Sequence, residues 1–295
     1  MDSDKLAFWL GFTLREAHAK IVDIVDGGEI ERQGKAFGDL DSDTELKADR
    51  LMGELIRDAI LAAPEIFDAR RVTVEGLGDF DAPGGAGSLW YCVDPLDGSL
   101  NWKKRSGTIG LPVTACVTAL RRVDGATFGD VLAAAVRDLR SADVYAAWLE
   151  AHGSASRVFT EVNGERIEPD PADEAPFDLG SMIVFGESYY PDNRELLARA
   201  FAGRKGWLRS PGSAAYEMAS VASGVGDGFI CGTQKQHELG AGMLLVQGAG
   251  GVVTDFDGRS LAGRTFDFTT QIPVVMGRTP RIHRDLLESV RGAVR

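Results

Sequence analysis

Two carboxylates, Asp94 and Asp97, stand three residues apart in the segment Asp94-Pro95-Leu96-Asp97-Gly98-Ser99-Leu100-Asn101-Trp102. The segment follows an apolar run, Leu89-Trp90-Tyr91-Cys92-Val93, which reads as a buried strand. Both acids are therefore expected at a strand's end, before a Gly-Ser turn able to open a helix. Carboxylate oxygens are hard ligands for a cation such as Mg²⁺, and the N–H groups of a helix start attract anions. A phosphate ester held beside Mg²⁺ would satisfy both halves. Taken alone, Asp-x-x-Asp-Gly also describes an Asp-Pro turn with an Asx-type cap. The flanking residues decide between them.

Asp94 to Trp102 resembles the Asp-Pro-(Ile/Leu)-Asp-Gly-(Thr/Ser)-x-Asn-(Phe/Trp) signature of the inositol monophosphatase family, Mg²⁺-dependent, lithium-sensitive phosphomonoesterases. Further matches follow in the family's order. Asp43-Thr44-Glu45-Leu46-Lys47-Ala48-Asp49 is similar to its Asp-x-x-Thr-x-x-Asp helix start, one residue longer. Thr73-Val74-Glu75-Gly76 lies where a strand ends in a Glu metal ligand, and Asn163-Gly164 is similar to a hairpin turn. Arg209 to Ala215 resembles Arg-x-x-Gly-(Ser/Thr)-Ala-Ala, and His237 to Gly242 occupies the place of Trp-Asp-x-Ala-(Ala/Gly)-Gly.

The resemblance implies roles position by position. Glu75, Asp94 and the Leu96 carbonyl match the ligands of a first Mg²⁺; Asp94, Asp97 and Glu238 match those of a second. Two to three ions are implied. The N–H groups of Gly98 and Ser99 match a phosphate-binding turn. Asp49 and the Ser99 hydroxyl match a pair that orients the attacking water, so Asp49, Glu75 and Ser99 are the implied catalytic residues. Gly212, Ser213 and Ala214 match a helix start that contacts polyol hydroxyls, although Ser213 there is also what an ordinary N-cap requires. For Asp49 the competing reading is a first-turn helix acid favoured by the dipole. The implied reaction is hydrolysis of a small polyol or sugar phosphate, inositol monophosphate by default. Fructose 1,6-bisphosphate, histidinol phosphate and 3′-phosphoadenosine 5′-phosphate are alternatives on this scaffold. A catalytically impaired homologue that binds a phosphorylated ligand or a protein partner is another.

Four positions depart from the pattern or leave it open. Glu238 replaces an Asp, lengthening one ligand by a methylene and putting the second metal position in doubt. His237 replaces the preceding Trp and reads as a packed or capped histidine rather than a ligand. Cys231 stands near where inositol-specific enzymes carry an acid for ring hydroxyls. Lys35 reads as a solvated loop charge.

These residues need a scaffold, and 295 residues can bury an ample core in one large domain or two packed halves. A net charge of -12 argues against a nucleic-acid backbone as main partner. Bound divalent cations would reverse the field locally. No apolar stretch is long enough to span a membrane, the first residues lack a signal peptide's pattern, and three cysteines in apolar segments read as buried reduced thiols. A cytoplasmic protein is expected, and the resemblance implies a homodimer.

Periodicity predicts helices over 6–25, 44–63, 192–201, 213–223, 237–249 and 280–294. Strands are expected at 72–74, 89–93, 110–120, 129–138, 143–149, 181–185, 206–209, 228–231, 252–255 and 273–276, with loops over 34–43 and 79–87. The Pro-containing acidic stretch 168–176 is the best linker, which divides the chain into 1–175, bearing the metal motifs, and 176–295, completing the site. Alternating strands and helices mark an α/β protein. The resemblance makes it a layered α/β/α/β/α sandwich of the inositol monophosphatase and fructose-1,6-bisphosphatase type.

Overall fold

The computed structural model describes residues 2–25, 47–104, 110–150, 156–162, 165–169, 174, 176–178, 180–188 and 190–294. Lys35 with the 34–43 loop, Asp43 to Leu46, the Asn163-Gly164 turn and most of the 168–176 stretch lie outside them.

Helix α1 (Ser3–Val25) carries Leu6, Leu10, Leu14, Ala17 and Ile21 on one face, and all are buried. Helix α2 (Lys47–Ala62) buries Met52, Ile56 and Ile60 in the same way. Pro64 does not simply stop α2; it opens a short turn of helix, α3 (Pro64–Phe67), as suits its fixed φ at a first helical position.

Both long helices cover one face of an eight-stranded sheet. Its strands are β1 (Ala69–Val74), β2 (Gly78–Asp81), β3 (Leu89–Asp97), β4 (Thr114–Leu120), β5 (Val131–Asp138), β6 (Val144–Leu149), β7 (Ser156–Val162) and β8 (Glu165–Ile167). They lie in the order β2-β1-β3-β4-β5-β6-β7-β8. From β3 onward the strands form an antiparallel meander, whereas β1 and β3 are parallel. Strand β2 is an addition, because 79–87 reads as a loop: its side chains are mostly exposed at the sheet's edge, so no apolar alternation announces it.

The second face of this sheet, with Cys92, Cys116, Ala134 and Val136, packs on helices α6 (Ala214–Ser223) and α7 (Gln236–Gly248). Those helices in turn rest on a five-stranded sheet ordered β10-β9-β11-β13-β12. Its strands are β9 (Met182–Phe185), β10 (Trp207–Arg209), β11 (Gly228–Lys235), β12 (Val252–Thr254) and β13 (Gln271–Gly277). Helices α5 (Pro191–Ala200) and α8 (Pro280–Val294) close its far side through Leu196, Leu197, Ile282, Leu286 and Val290. The layers therefore run α/β/α/β/α, as expected. Helix α7 shows why they cohere. Eleven of its thirteen residues are buried, because it is sandwiched between two sheets and has no solvent face.

Candidate active site

The parallel pairing of β1 and β3 sets the geometry. Val74 lies opposite Val93, and the Glu75 N–H donates to the Val93 carbonyl at 3.0 Å. The next residue of each chain segment is an acid, so Glu75, just past the end of β1, stands beside Asp94, which β3 carries within its own length together with Asp97. The β3–β4 ladder loses register between Asp94 and Asp97, where Pro95 can donate no hydrogen bond. Chain continuity then brings Asp97 to the same end. Glu238 approaches from the first turn of α7, which β11 enters without a loop.

Two groups result: Glu75, Asp94 and His237, and Asp94, Asp97 and Glu238. The ligand atoms within each group lie within 4.8 Å of one another. Asp94 belongs to both. Asp94, Asp97, His237 and Glu238 are buried, and Glu75 is about a quarter exposed. Burial first, then repulsion from Glu75, Asp97 and Glu238, pushes the Asp94 carboxyl well above the usual range. Glu238 is pushed up by burial and Asp97, against the pull of Lys235. Asp97 also rises through burial, held back by hydrogen bonds from Ser213 and Ala215. Glu75 goes the other way. Burial would raise it, but attraction to the His237 ring whenever that is protonated, and to the Lys235 ammonium 3.1 Å from Oε1, outweighs that and lowers it.

With all four carboxylates ionised, a single ammonium would leave a large uncompensated negative charge, which is why burial and mutual repulsion raise Asp94, Asp97 and Glu238. Such a donor set, dominated by hard oxygens, fits a divalent cation better than any side-chain partner in reach.

The remaining expected residues fall around this cluster. Gly98 caps α4 (Ser99–Lys103) with φ of 91°, and a Cβ there would lie 3.1 Å from the carbonyl oxygens of both Pro112 and Gly212. Glycine is thus required by conformation and by space. The Ser99 hydroxyl donates to the Leu96 carbonyl at 3.0 Å. Its single hydrogen is therefore committed there rather than to Asp49. Asp49 is half-buried in the first turn of α2, a helix that packs on β3. It belongs to neither carboxylate group among the described residues.

Ser213 occupies the N-cap of α6 but does not cap it with its side chain. Its hydroxyl donates to Asp97 Oδ2 at 2.7 Å, and that same oxygen accepts the Ala215 N–H at 2.7 Å. Asp97 thus supplies the cap across the chain. Asn101 fastens the same region, with Nδ2 donating to the carbonyls of Pro112, Pro211 and Gly212.

Several residues in the site carried no signal in the sequence. Lys235 holds Glu75, Gln234 donates to Glu238, Thr114 donates to Asp97, and Glu217 accepts the Gly212 N–H at 2.9 Å. Burial pushes the Glu217 carboxyl well up. Only their nearness to the Asp97 and Glu238 motifs could have flagged them. Cys92, Cys116 and Cys231 are buried and unpaired, as expected.

The inositol monophosphatase family model matches residues 10–295. The chain belongs to the inositol monophosphatase family. Within that family's reach, a fructose-1,6-bisphosphatase/inositol-1-monophosphatase of Archaeoglobus fulgidus is 30% identical over 237 residues, covering 78% of this chain and 80% of its own. Nus factor SuhB of Escherichia coli is 26% identical over 269 residues, covering 89% and 86%. Among solved structures, a Thermotoga maritima IMPase superposes with a TM-score of 0.72 at 23% identity, covering 99% of this chain and 98% of that one. That likeness concerns the fold.

Proposed function

We propose that this protein hydrolyses a phosphate monoester of a small polyol or sugar, with inositol monophosphate the default substrate. The observation that carries the reading is the pair of carboxylate groups meeting at Asp94. Glu75, Asp94 and the Leu96 carbonyl would hold one Mg²⁺, and Asp94, Asp97 and Glu238 a second. When bound, such ions neutralise phosphoryl oxygens and acidify water.

The chain's own groups do the rest. The Gly98–Ser99 turn cradles the phosphoryl group through its N–H donors. Asp49 and Ser99 orient the attacking water once the Ser99 hydroxyl turns from Leu96, a rotation about one side-chain bond. The Leu96 carbonyl has two lone pairs and can serve the hydroxyl and a cation in turn. Gly212, Ser213 and Ala214 face the polyol, fixed in place by Asn101, Glu217 and Asp97. Glu238, though longer than the family's Asp, is drawn into the group with Asp94 and Asp97 and accepts from Gln234. This supports a working second position.

Residues 1–175 and 176–295 act as two halves of one site, each supplying part of the ligand set. We place the protein as a cytoplasmic homodimer without a nucleic-acid polymer or membrane as partner. Among the described residues no helix is long and apolar enough to cross a membrane.

A panel assay tests the reading: phosphate release from inositol monophosphates, fructose 1,6-bisphosphate, histidinol phosphate and 3′-phosphoadenosine 5′-phosphate across an Mg²⁺ titration. Mg²⁺-dependent turnover favouring a polyol or sugar ester supports it. A second reading, a role in a macromolecular assembly without catalysis, draws on the Nus factor name of the SuhB relative and on the His237-Glu238 departure. No turnover of any ester at any Mg²⁺ concentration would favour it.

A further inference from the structure

The His237 ring is fixed on one side and left unsatisfied on the other. Nδ1 lies 3.0 Å from the Phe268 carbonyl oxygen, and the ring stacks on the Phe268 side chain with centroids 4.6 Å apart. A carbonyl can only accept, so Nδ1 carries the hydrogen and Nε2 of the neutral ring presents its lone pair. His237 is 3% exposed, and Nε2 has no hydrogen-bond partner. An orphaned buried nitrogen of this kind calls for a physical reason.

What Nε2 faces supplies one. Glu75 Oε2 is 3.5 Å away, Asp94 Oδ2 3.8 Å and Glu238 Oε1 3.9 Å. These separations are long for hydrogen bonds. Ligand atoms about 2.1 Å from a shared cation sit roughly 3.0–3.5 Å apart at adjacent positions, so a small inward adjustment would bring these atoms onto one ion. Lys235 engages the other oxygen of Glu75, which leaves Oε2 turned toward the imidazole.

We propose that His237 Nε2 is a metal ligand, giving the Glu75–Asp94 position one nitrogen donor. That position then prefers a first-row transition-metal dication such as Mn²⁺, Co²⁺ or Zn²⁺ over Mg²⁺. The proposal rests on the reading that these carboxylates hold divalent cations, and adds which cation and through which atom. Mg²⁺ takes oxygen donors and parts reluctantly from its waters, whereas imidazole suits the later metals. The Phe268 carbonyl supplies the outer-shell hydrogen bond that orients a ligating histidine. A Trp, which the family pattern carries here, offers only an N–H donor and could not ligate.

The test uses the whole protein loaded with one equivalent of Mn²⁺. Electron spin echo envelope modulation reads directly coordinated ¹⁴N. Calorimetry in parallel measures Mn²⁺ and Mg²⁺ affinity. The variants are His237→Phe, which keeps a ring against Phe268, His237→Gln, and Asp94→Asn, each checked for a native circular dichroism spectrum. The expected result is a ¹⁴N coupling in the native protein that both His237 variants lose. The Mn²⁺-over-Mg²⁺ preference should also fall at least about tenfold. Asp94-dependent Mn²⁺ binding without ¹⁴N coupling, or a coupling that survives in both His237 variants, overturns the ligand role alone. Absence of any Asp94-dependent binding of either ion overturns the ligand role and the metal site together.

Discussion

Asp94 stands in both carboxylate groups, so a change there reaches every ligand. Asp94→Asn keeps the shape and removes the charge. It should lower kcat/KM at least about 100-fold with little change in melting temperature, since loss of a shared cation ligand removes charge stabilisation of the transition state. Steady-state phosphate release and a thermal melt check both halves. Elsewhere, His18 and His283 bring a pH dependence that owes nothing to the site. Burial, with Arg137 near one and Arg291 near the other, holds each down to about 4. Unfolded histidine binds its proton near 6.5, so the unfolded chain takes up more protons over that interval. Their contribution to stability is intact above 6.5 and declines as pH falls toward 4, by up to about 3 kcal/mol each. Chemical denaturation at a series of pH values should show the decline, and His18→Gln should shrink it.

At the scale of elements, the junction of β3 and α4 is the most constrained. Gly98→Ala meets both a left-handed φ and two carbonyl oxygens at 3.1 Å, and should cost roughly 1–3 kcal/mol and most activity. Denaturant melts of the variant would measure it. On the opposite face of the sheet, Leu10→Ala should cost about 2–5 kcal/mol while leaving KM unchanged, because α1 touches the sheet and not the site. These elements differed in how well the sequence disclosed them. The regular spacing of Leu6, Leu10, Leu14 and Ile21 made α1 plain, and the run from Leu89 to Val93 made β3 plain. Strand β2 was hidden because an edge strand with exposed polar residues has no alternation to read. Pro64, just beyond the helix expected over 44–63, starts the short α3, which four residues are too few to announce. Parallel pairing of β1 with β3, which puts Glu75 beside Asp94, is a tertiary fact with no local signature.

Across the whole molecule, the carboxylates legible as a linear series, Glu75, Asp94, Asp97 and Glu238, converge because two β1/β3 strand ends meet the first turn of α7. The positively charged and hydrogen-bonding residues around them, Lys235, Gln234 and Thr114, were not legible, since a lone Lys, Gln or Thr has too many ordinary uses. His237 was read as packing, and it does pack. Its second nitrogen faces the acids only because Phe268, thirty-one residues on, claims the first. The cluster also makes the molecule's stability depend on cations. Asp94, Asp97 and Glu238 have raised carboxyl pKa values, so without a cation their contribution is present at low pH and declines as pH rises through those values. A bound ion takes over from the protons. The rise in melting temperature given by saturating Mg²⁺ should therefore be larger at about pH 8 than at about pH 6. A gain that is flat or reversed across that range would show that these carboxyls are not where the ion binds.

Whether Asp94 binds the catalytic cation is read from phosphate release by the native protein and by Asp94→Asn as Mg²⁺ is titrated from a chelated baseline. No release is expected under chelation, with saturable activation by Mg²⁺ in the native protein and almost none in the variant at any concentration. Full activity under chelation, or an Asp94→Asn protein that responds to Mg²⁺ as the native one does, would contradict that role for Asp94.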